Sequence, residues 1–323
     1  MFRKKKKISE LKPGDFIKDV FVVKIKKDMR SYSKGFSFHL ILSDASGQSI
    51  DFAYWGDHNE AEVRRLYETV SEDDVLYLSG KVGRFRGAPQ ISSNTEDVVS
   101  VLKEGEYDPS DFIMPSRRDQ DEMCDELLDA VESVKDKDIK KLLEAVFHDE
   151  TLIDAYKKHP GGIQIHHNTY GGLLEHTLET LQYCMLSVDF FDMDRDMLIA
   201  GALLHDIGKL EEMELSTRIK GTRRGQLLGH IVLGIEFLSG KMTELKTPQI
   251  IREKIIHIIA SHHGRLEYGS PKEPMFPEAI AIHMADAMSS KLNEMRTFIE
   301  NVKGTTDNDF AYYRRGSKNI LLK

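Results

Sequence analysis

The chain has 323 residues, 40% of them hydrophobic and 30% charged, with a formal net charge of −8. That length is too great for one small domain and suits two of unequal size, and the apolar fraction supplies real cores. Two cysteines, Cys124 and Cys184, exclude a disulfide framework and a thiolate metal site, and no run of about 18 apolar residues offers a transmembrane helix or a membrane partner.

Met1-Phe2-Arg3-Lys4-Lys5-Lys6-Lys7 has the charge of a signal-peptide n-region. Ser9, Glu10, Lys12 and Asp15 come next where an apolar stretch belongs, so a cytoplasmic location is expected. From about Ile8 to Leu102 the chain reads as strands. Phe16–Lys26 is β-branched and aromatic, and Phe36–Asp44 turns through Ala45-Ser46-Gly47 into Ser49–Trp55. An amphipathic helix is expected over Asn59 to Val70, and strands return at Asp74–Val82 and Pro89–Ile91. Residues 1–103 hold 18 Lys and Arg against 15 Asp and Glu, and the remainder 27 against 38. A mildly basic front before an acidic back is either a capture domain for a phosphate polymer or ordinary surface variation.

Three strands, a helix and two strands is the order of an OB-fold barrel, and the segment from Ile8-Ser9-Glu10-Leu11-Lys12-Pro13-Gly14-Asp15 through Gly80-Lys81-Val82-Gly83-Arg84-Phe85-Arg86-Gly87 resembles the OB-fold nucleic-acid-binding family. Bases need aromatic faces and phosphates need cations. Phe36, Phe38, Tyr54, Trp55 and Phe85, beside Lys34, Arg84 and Arg86, either meet the strand or, for the aromatics, fill the barrel. Arg84-Phe85-Arg86, between glycines, is the leading candidate for contact.

Residues 104–118 read as a linker with Gly105, Pro109 and Pro115. Beyond them the period becomes helical, from Asp119–Val134 and Asp138–His148 to about Ile299, and the segment 304–323 is a tail that is either docked or disordered. In this helical part His176 is succeeded by the adjacent pair His205-Asp206, by His230, by the pair His262-His263 and by Asp286. Imidazole nitrogens and carboxylate oxygens without a thiolate suit manganese, iron, nickel, cobalt or zinc rather than calcium.

These motifs resemble the HD-domain metal-dependent phosphohydrolases, whose pattern H, HD, H, HH, D is present in order. The resemblance implies that His176, His205, Asp206 and Asp286 hold one metal, and that Asp206 bridges to a second held by His230, His262 and His263. Two cations about 3.5–4 Å apart would activate a bridging water and clamp an in-line displacement at phosphorus. Catalysis falls to Asp206 and to Lys209, four residues after His205, which either meets a phosphate oxygen or is an exposed helix-end cation. His166 and His167 either contact substrate or cap the next helix, and His283, one turn before Asp286, either enters the site or is a packed supporting histidine. His39, His58, His148, His159 and His257 are structural or surface residues.

Gly225-Gln226-Leu227-Leu228-Gly229-His230 and Ser261-His262-His263-Gly264-Arg265-Leu266-Glu267-Tyr268-Gly269-Ser270-Pro271-Lys272 are similar to the YhaM-type 3′-to-5′ exoribonucleases, which place an OB-fold before an HD domain. The expected architecture is therefore multidomain: an all-β OB-fold barrel over 1–103, the linker, and an all-α HD domain over 119–303. The resemblance implies stepwise removal of nucleotides from the 3′ end of single-stranded RNA, and of single-stranded DNA as a second substrate. It implies divalent ions, two per site, with manganese first and iron, nickel, cobalt, zinc or magnesium as alternatives. Arg265 and Lys272, with Arg218, Lys220, Arg223 and Arg224, are strand contacts or solvated loop charges. The loop Arg218 to Arg224 is more charged than the family's, a departure that bears on the length or type of substrate. Two rivals stand beside this reading: a phosphohydrolase of mononucleotides or cyclic nucleotides with a regulatory barrel, and a non-catalytic nucleic-acid-binding protein. A homo-oligomer is compatible with all three.

Overall fold

The structure is a computed structural model that describes every residue except Gln164, Asp307 and Lys323. It divides into two compact units, Met1–Pro115 with Leu215–Arg218, and Ser116–Glu214 with Ile219–Lys323.

The first unit is a closed barrel. Its strands are β1 (Phe16–Lys26), β2 (Arg30–Tyr32), β3 (Gly35–Ser43), β4 (Ser49–Trp55), β5 (Val75–Phe85), β6 (Ala88–Asn94) and β7 (Val99–Leu102), with helix α1 (Glu60–Thr69) between β4 and β5. The ladder runs β1-β3-β4-β6-β5-β7 and closes because β1 also pairs with β5; β4 and β6 are parallel and the other pairs antiparallel. This is the OB-like barrel that the element order predicts, with the short strands β2 and β7 added. Alternate residues of each strand point inward, so Phe21, Phe38, Leu40, Phe52, Leu76 and Ile91 fill the interior and Val63 of α1 plugs it.

Strand β1 is buried on both faces. Ile17, Phe21 and Val23 face the barrel, whereas Val20 and Val22 lie under Val75, Leu102 and Phe112. Residues 104–115 are therefore not the free linker that their glycine, prolines and charges suggest. Phe112 and Ile113 are buried, and Asp111 accepts from the Arg3 guanidinium at 3.0 Å and the Lys4 amide at 2.9 Å.

The second unit is helical: α2 (Gln120–Glu132), α3 (Lys137–Phe147), α4 (Glu150–Lys158), α5 (Gly172–Phe191), α6 (Arg195–Leu204), α7 (Lys209–Glu212), α8 (Arg223–Glu244), α9 (Gln249–Ser261) and α10 (Pro277–Val302). It is not wholly helical. Strands β8 (Met213–Leu215) and β9 (Ile219–Gly221) pair after α7, and the tail folds into a hairpin of β10 (Phe310–Tyr313) and β11 (Lys318–Leu321). Aspartates 119, 136, 149 and 194 cap α2, α3, α4 and α6 by accepting from backbone amides of the first turn. Helix α6 is apolar from Met197 to Leu204 and buried throughout, packed among Leu173, Leu178, Ile258 and Ile282. A helix without a polar face must lie inside, so the turn after its last residue is delivered into the interior. That turn carries His205-Asp206.

Candidate metal centre

Six histidine and aspartate side chains converge where α6 ends. His176 comes from α5, His205 and Asp206 from the turn after α6, His230 from α8, His262 from the end of α9, and Asp286 from α10. The Asp206 carboxylate lies between two groups. Its Oδ2 is 3.3 Å from Nε2 of both His176 and His205, and its Oδ1 is 3.6 Å from Nε2 of both His230 and His262. Asp286 Oδ1 is 3.3 Å from His176 Nε2. His263 joins the second group: ligand atoms of His230, His262 and His263 lie within 4.8 Å of one another, as do those of His176, His205 and Asp206.

The ring orientations share one rule. The Nδ1 atoms of His205, His262 and His263 donate to the carbonyls of Ala202, Ile259 and Tyr268 at 2.9, 2.8 and 3.1 Å. His230 Nδ1 donates to Glu212 Oε1 at 3.0 Å. His176 Nδ1 donates to Ser289 Oγ at 2.9 Å, whose hydroxyl passes on to Glu179 at 2.7 Å. Each ring thus spends Nδ1–H on the scaffold and turns Nε2 inward, the arrangement that fixes the tautomer of metal-ligating histidines. Asp206 Oδ1, His230 Nε2 and His262 Nε2 are buried without a hydrogen-bond partner among the described residues. Buried polar atoms are ordinarily paired, so this inward donor set fits divalent cations.

The electrostatics point the same way. Burial would push His176 down, yet Asp206 and Asp286 outweigh it and raise its pKa to about 9. Burial opposes ionisation of Asp206 too, but Lys209 and His205 hold its carboxyl well below the usual range. His262 and His263 are kept neutral by burial. Two carboxylates and a pair of neutral imidazoles in a dry interior favour a cation.

Two glycines make this convergence physically possible. A Cβ on Gly208 would stand 2.0 Å from the His230 carbonyl, so only glycine lets α8 approach the His205-Asp206 turn this closely. Gly229, at φ +72°, breaks α8 one residue before His230 and re-aims it.

Lys209 is not an exposed helix-end cation. It is 6% exposed, and its Nζ donates to Asp206 Oδ2 at 2.6 Å and to the Gly161 carbonyl at 2.7 Å. Helix α6 also stops at Leu204, and Lys209 begins α7. Lys209 and Asp206 line a cavity of about 940 Å³ within the helical unit, with His166, His230, His263, His283 and Asp286. His166 reaches this cavity and His167 bonds Glu179 at 3.2 Å, while Gly171 occupies the N-cap of α5, so neither histidine caps that helix. His283 lines the cavity and also donates to the His262 carbonyl at 2.7 Å, so it reaches the site while bracing the His262 backbone.

The candidate strand contacts divide. Arg265 lines the cavity, whereas Arg223 and Lys272 are exposed outside its lining. Arg224 is held by Glu211 and Glu236, both at 2.8 Å, and Arg218 by Asp73 at 2.6 Å. In the barrel Phe38 and Tyr54 are core residues stacked at 5.1 Å, and Phe36 packs against that core. Trp55 is half-buried beside Tyr32 and His39. Arg84, Phe85 and Arg86 are exposed where β5 turns into β6, at a two-residue turn with Arg86 and Gly87 both at positive φ. Sequence reasoning missed Glu212, Ser289 and Glu179, and also Tyr268, Lys291 and Arg315 of the cavity lining. Tyr268 lies inside the stretch Ser261 to Lys272 without being singled out there, and the others carry no local motif.

The HD domain family matches residues 173–291, which span His176 to Asp286. The 3′-5′ exoribonuclease YhaM of Bacillus subtilis is 30% identical over 82% of this chain and 81% of its own length. The YhaM proteins of Oceanobacillus iheyensis and Listeria innocua are 29% and 27% identical over 82% and 92% of this chain and 80% and 92% of theirs. Among solved structures, the crystal structure of the p204 HINb domain aligns with 30% of this chain and 46% of that one at 16% identity and a TM-score of 0.24, too slight a likeness to carry any argument. With a relative of this identity matched over most of both chains, and the HD pattern gathered around one carboxylate, the chain belongs to the YhaM family of 3′-5′ exoribonucleases.

Proposed function

We propose that this chain removes nucleotides from the 3′ end of single-stranded RNA, at divalent ions held in the helical cavity. The observation that carries the reading is the position of Asp206, one carboxylate between two sets of inward-turned Nε2 atoms. His176, His205, Asp206 and Asp286 would hold one ion, and Asp206, His230, His262 and His263 the second; such nitrogen and oxygen donors suit several divalent metals, and the family resemblance puts manganese first among them. Divalent ions bound there supply an activated water and neutralise charge on the phosphate.

The chain's own residues do the rest. Ser289, Glu212 and the three backbone carbonyls lock the imidazoles so that no ring must turn when substrate arrives. Lys209 steadies Asp206 Oδ2 and gives the cavity a fixed positive charge for a non-bridging phosphate oxygen. About 940 Å³ suits a terminal nucleotide, with Arg265 at the rim to meet a phosphate. The barrel, with Arg84, Phe85 and Arg86 exposed, holds the strand; single-stranded DNA would be a second substrate.

The test is digestion of 5′-labelled, 3′-tailed RNA by chelator-treated protein resupplied with single metals. Stepwise shortening from the 3′ end, lost in Asp206→Ala, is the expected result. Intact RNA with phosphate released from free nucleotides would overturn it.

A further inference from the structure

The C-terminal hairpin has two unlike faces. Phe310 pairs with Leu321 and Tyr312 with Asn319 on one side, and Ala311 pairs with Ile320 and Tyr313 with Lys318 on the other. The inner side is anchored to α10: the Tyr313 hydroxyl donates to Glu294, and its ring meets Phe298 edge-on at 5.0 Å. The outer side is exposed. Phe310 is 56% exposed, Tyr312 60% and Leu321 54%. A two-stranded sheet alone is marginal in water, so the anchored face accounts for the hairpin's existence. It does not account for two aromatic rings displayed two residues apart on the free face.

The cations supply the direction. Arg314 and Arg315 occupy the turn and Lys318 begins the return strand, all exposed. Arg315 is 3.6 Å from Glu294 and also lines the cavity that holds Asp206, alongside Lys291 of α10. The turn therefore belongs to the wall of the candidate site. Tyr312 lies three residues back along the strand, within about 10 Å by chain length.

We infer that the outer face of this hairpin is a strand-binding surface: Arg315 meets the backbone phosphate of the RNA as it leaves the cavity, and Tyr312 and Phe310 stack the next bases along. Sequence-independent binding of single strands combines these two parts, a cationic track and aromatic faces. Charge favours RNA over a protein partner as the occupant. The chain as a whole carries −8, and arginines are held at this rim of its catalytic cavity. The inference rests on the exoribonuclease reading and adds where the strand runs.

The experiment compares full-length wild type with Tyr312→Ala, Phe310→Ala and Tyr312→Phe. Binding of a fluorescent oligoadenylate of about twenty nucleotides is measured by anisotropy without added metal, and cleavage of that oligomer is set against cleavage of a dinucleotide too short to reach the hairpin. Each alanine variant should weaken oligomer binding about tenfold and raise KM for the oligomer alike, the loss expected for one stacked base. Dinucleotide cleavage should be unchanged, and Tyr312→Phe should restore binding because stacking needs the ring and not the hydroxyl. Equal losses on both substrates would mean a damaged cavity and overturn the inference. So would unchanged oligomer binding, or altered self-association in sedimentation without altered RNA binding, which would make the face a protein interface. If wild type binds the oligomer through these rings but shortens no RNA, the exoribonuclease reading fails while the surface stands. If wild type shortens RNA and the variants match it, the surface alone fails.

Discussion

The two units bury charge in opposite ways. In the barrel Lys4 is buried with its Nζ 3.4 Å from Asp19 and 3.8 Å from Asp44, donating to the Val20 carbonyl at 2.8 Å and lying 3.2 Å from the Phe21 ring centroid. Asp19 also accepts from the amides of Lys5, Lys6 and Val20. That cluster is closed, and it staples the N-terminal residues to β1. The cluster around Asp206 is open: its histidines are satisfied on the outer nitrogen, while Asp206 Oδ1 and the Nε2 atoms of His230 and His262 face one another unpaired among the described residues. A closed buried network serves stability, and an open one waits for a ligand. The difference separates a structural polar core from the candidate chemical one without any appeal to resemblance.

The sharpest way to test that difference is to remove the central carboxylate of each cluster. Asp206→Ala should abolish RNA shortening, by on the order of a thousandfold or more, with bound metal lost in elemental analysis of the purified protein. Retained cleavage would return the open cluster to a structural role. Asp19→Ala should do the reverse. It strands the buried Lys4 ammonium and three backbone amides, at a cost of about 3–5 kcal/mol in denaturant unfolding of the barrel, while metal content stays at the wild-type value.

Acid should distinguish the units next. Burial lowers His159 and His167 to about 4 each, with His159 Nε2 donating to the Lys209 carbonyl at 2.8 Å. In the unfolded chain these groups protonate near 6.5, so between about 6.5 and 4 the unfolded state binds the extra proton. Stability from each is full above that window and is lost as pH falls through it, about 2 kcal/mol apiece by pH 5. Circular dichroism melts at pH 7 and pH 5 should show the helical unit weakening, and His159→Gln should remove part of the slope. A smaller effect is expected from Glu212→Ala, which frees the His230 ring. Metal affinity should fall roughly 10–100-fold in titrations with the fold intact. The smallest belongs to the barrel surface: Arg84→Ala and Arg86→Ala should each weaken RNA binding slightly and reduce its salt slope by about one, and an unaltered slope would remove these arginines from the strand path.

Much of the architecture was legible because it is written in local pattern. Alternating residues in Phe36–Ser43 and Ser49–Trp55 have one buried face each, which only a strand satisfies, and the barrel order came with them. The packing of the connector is not legible in sequence because Phe112 is isolated among polar residues, and only the outer face of β1 gives it somewhere to bury. The β8–β9 hairpin and the tail hairpin escaped for a related reason. Strands of three and four residues are too short for alternation to register.

By itself the sequence determined which side chains are the candidates for the chemistry. His176, His205, Asp206, His230, His262, His263 and Asp286 are chemical identities in a fixed order, and identity does not need folding to be read. Only the tertiary structure decided how those atoms are aimed. Ser289 lies 113 residues from the ring it holds and Glu212 lies 18 from His230. The burial of Lys209 depends on a carbonyl 48 residues earlier. Hydrogen bonds and burial are relations between elements distant in the chain, so no window of sequence contains them. They come into being when α5, α6, α8, α9 and α10 close around one carboxylate.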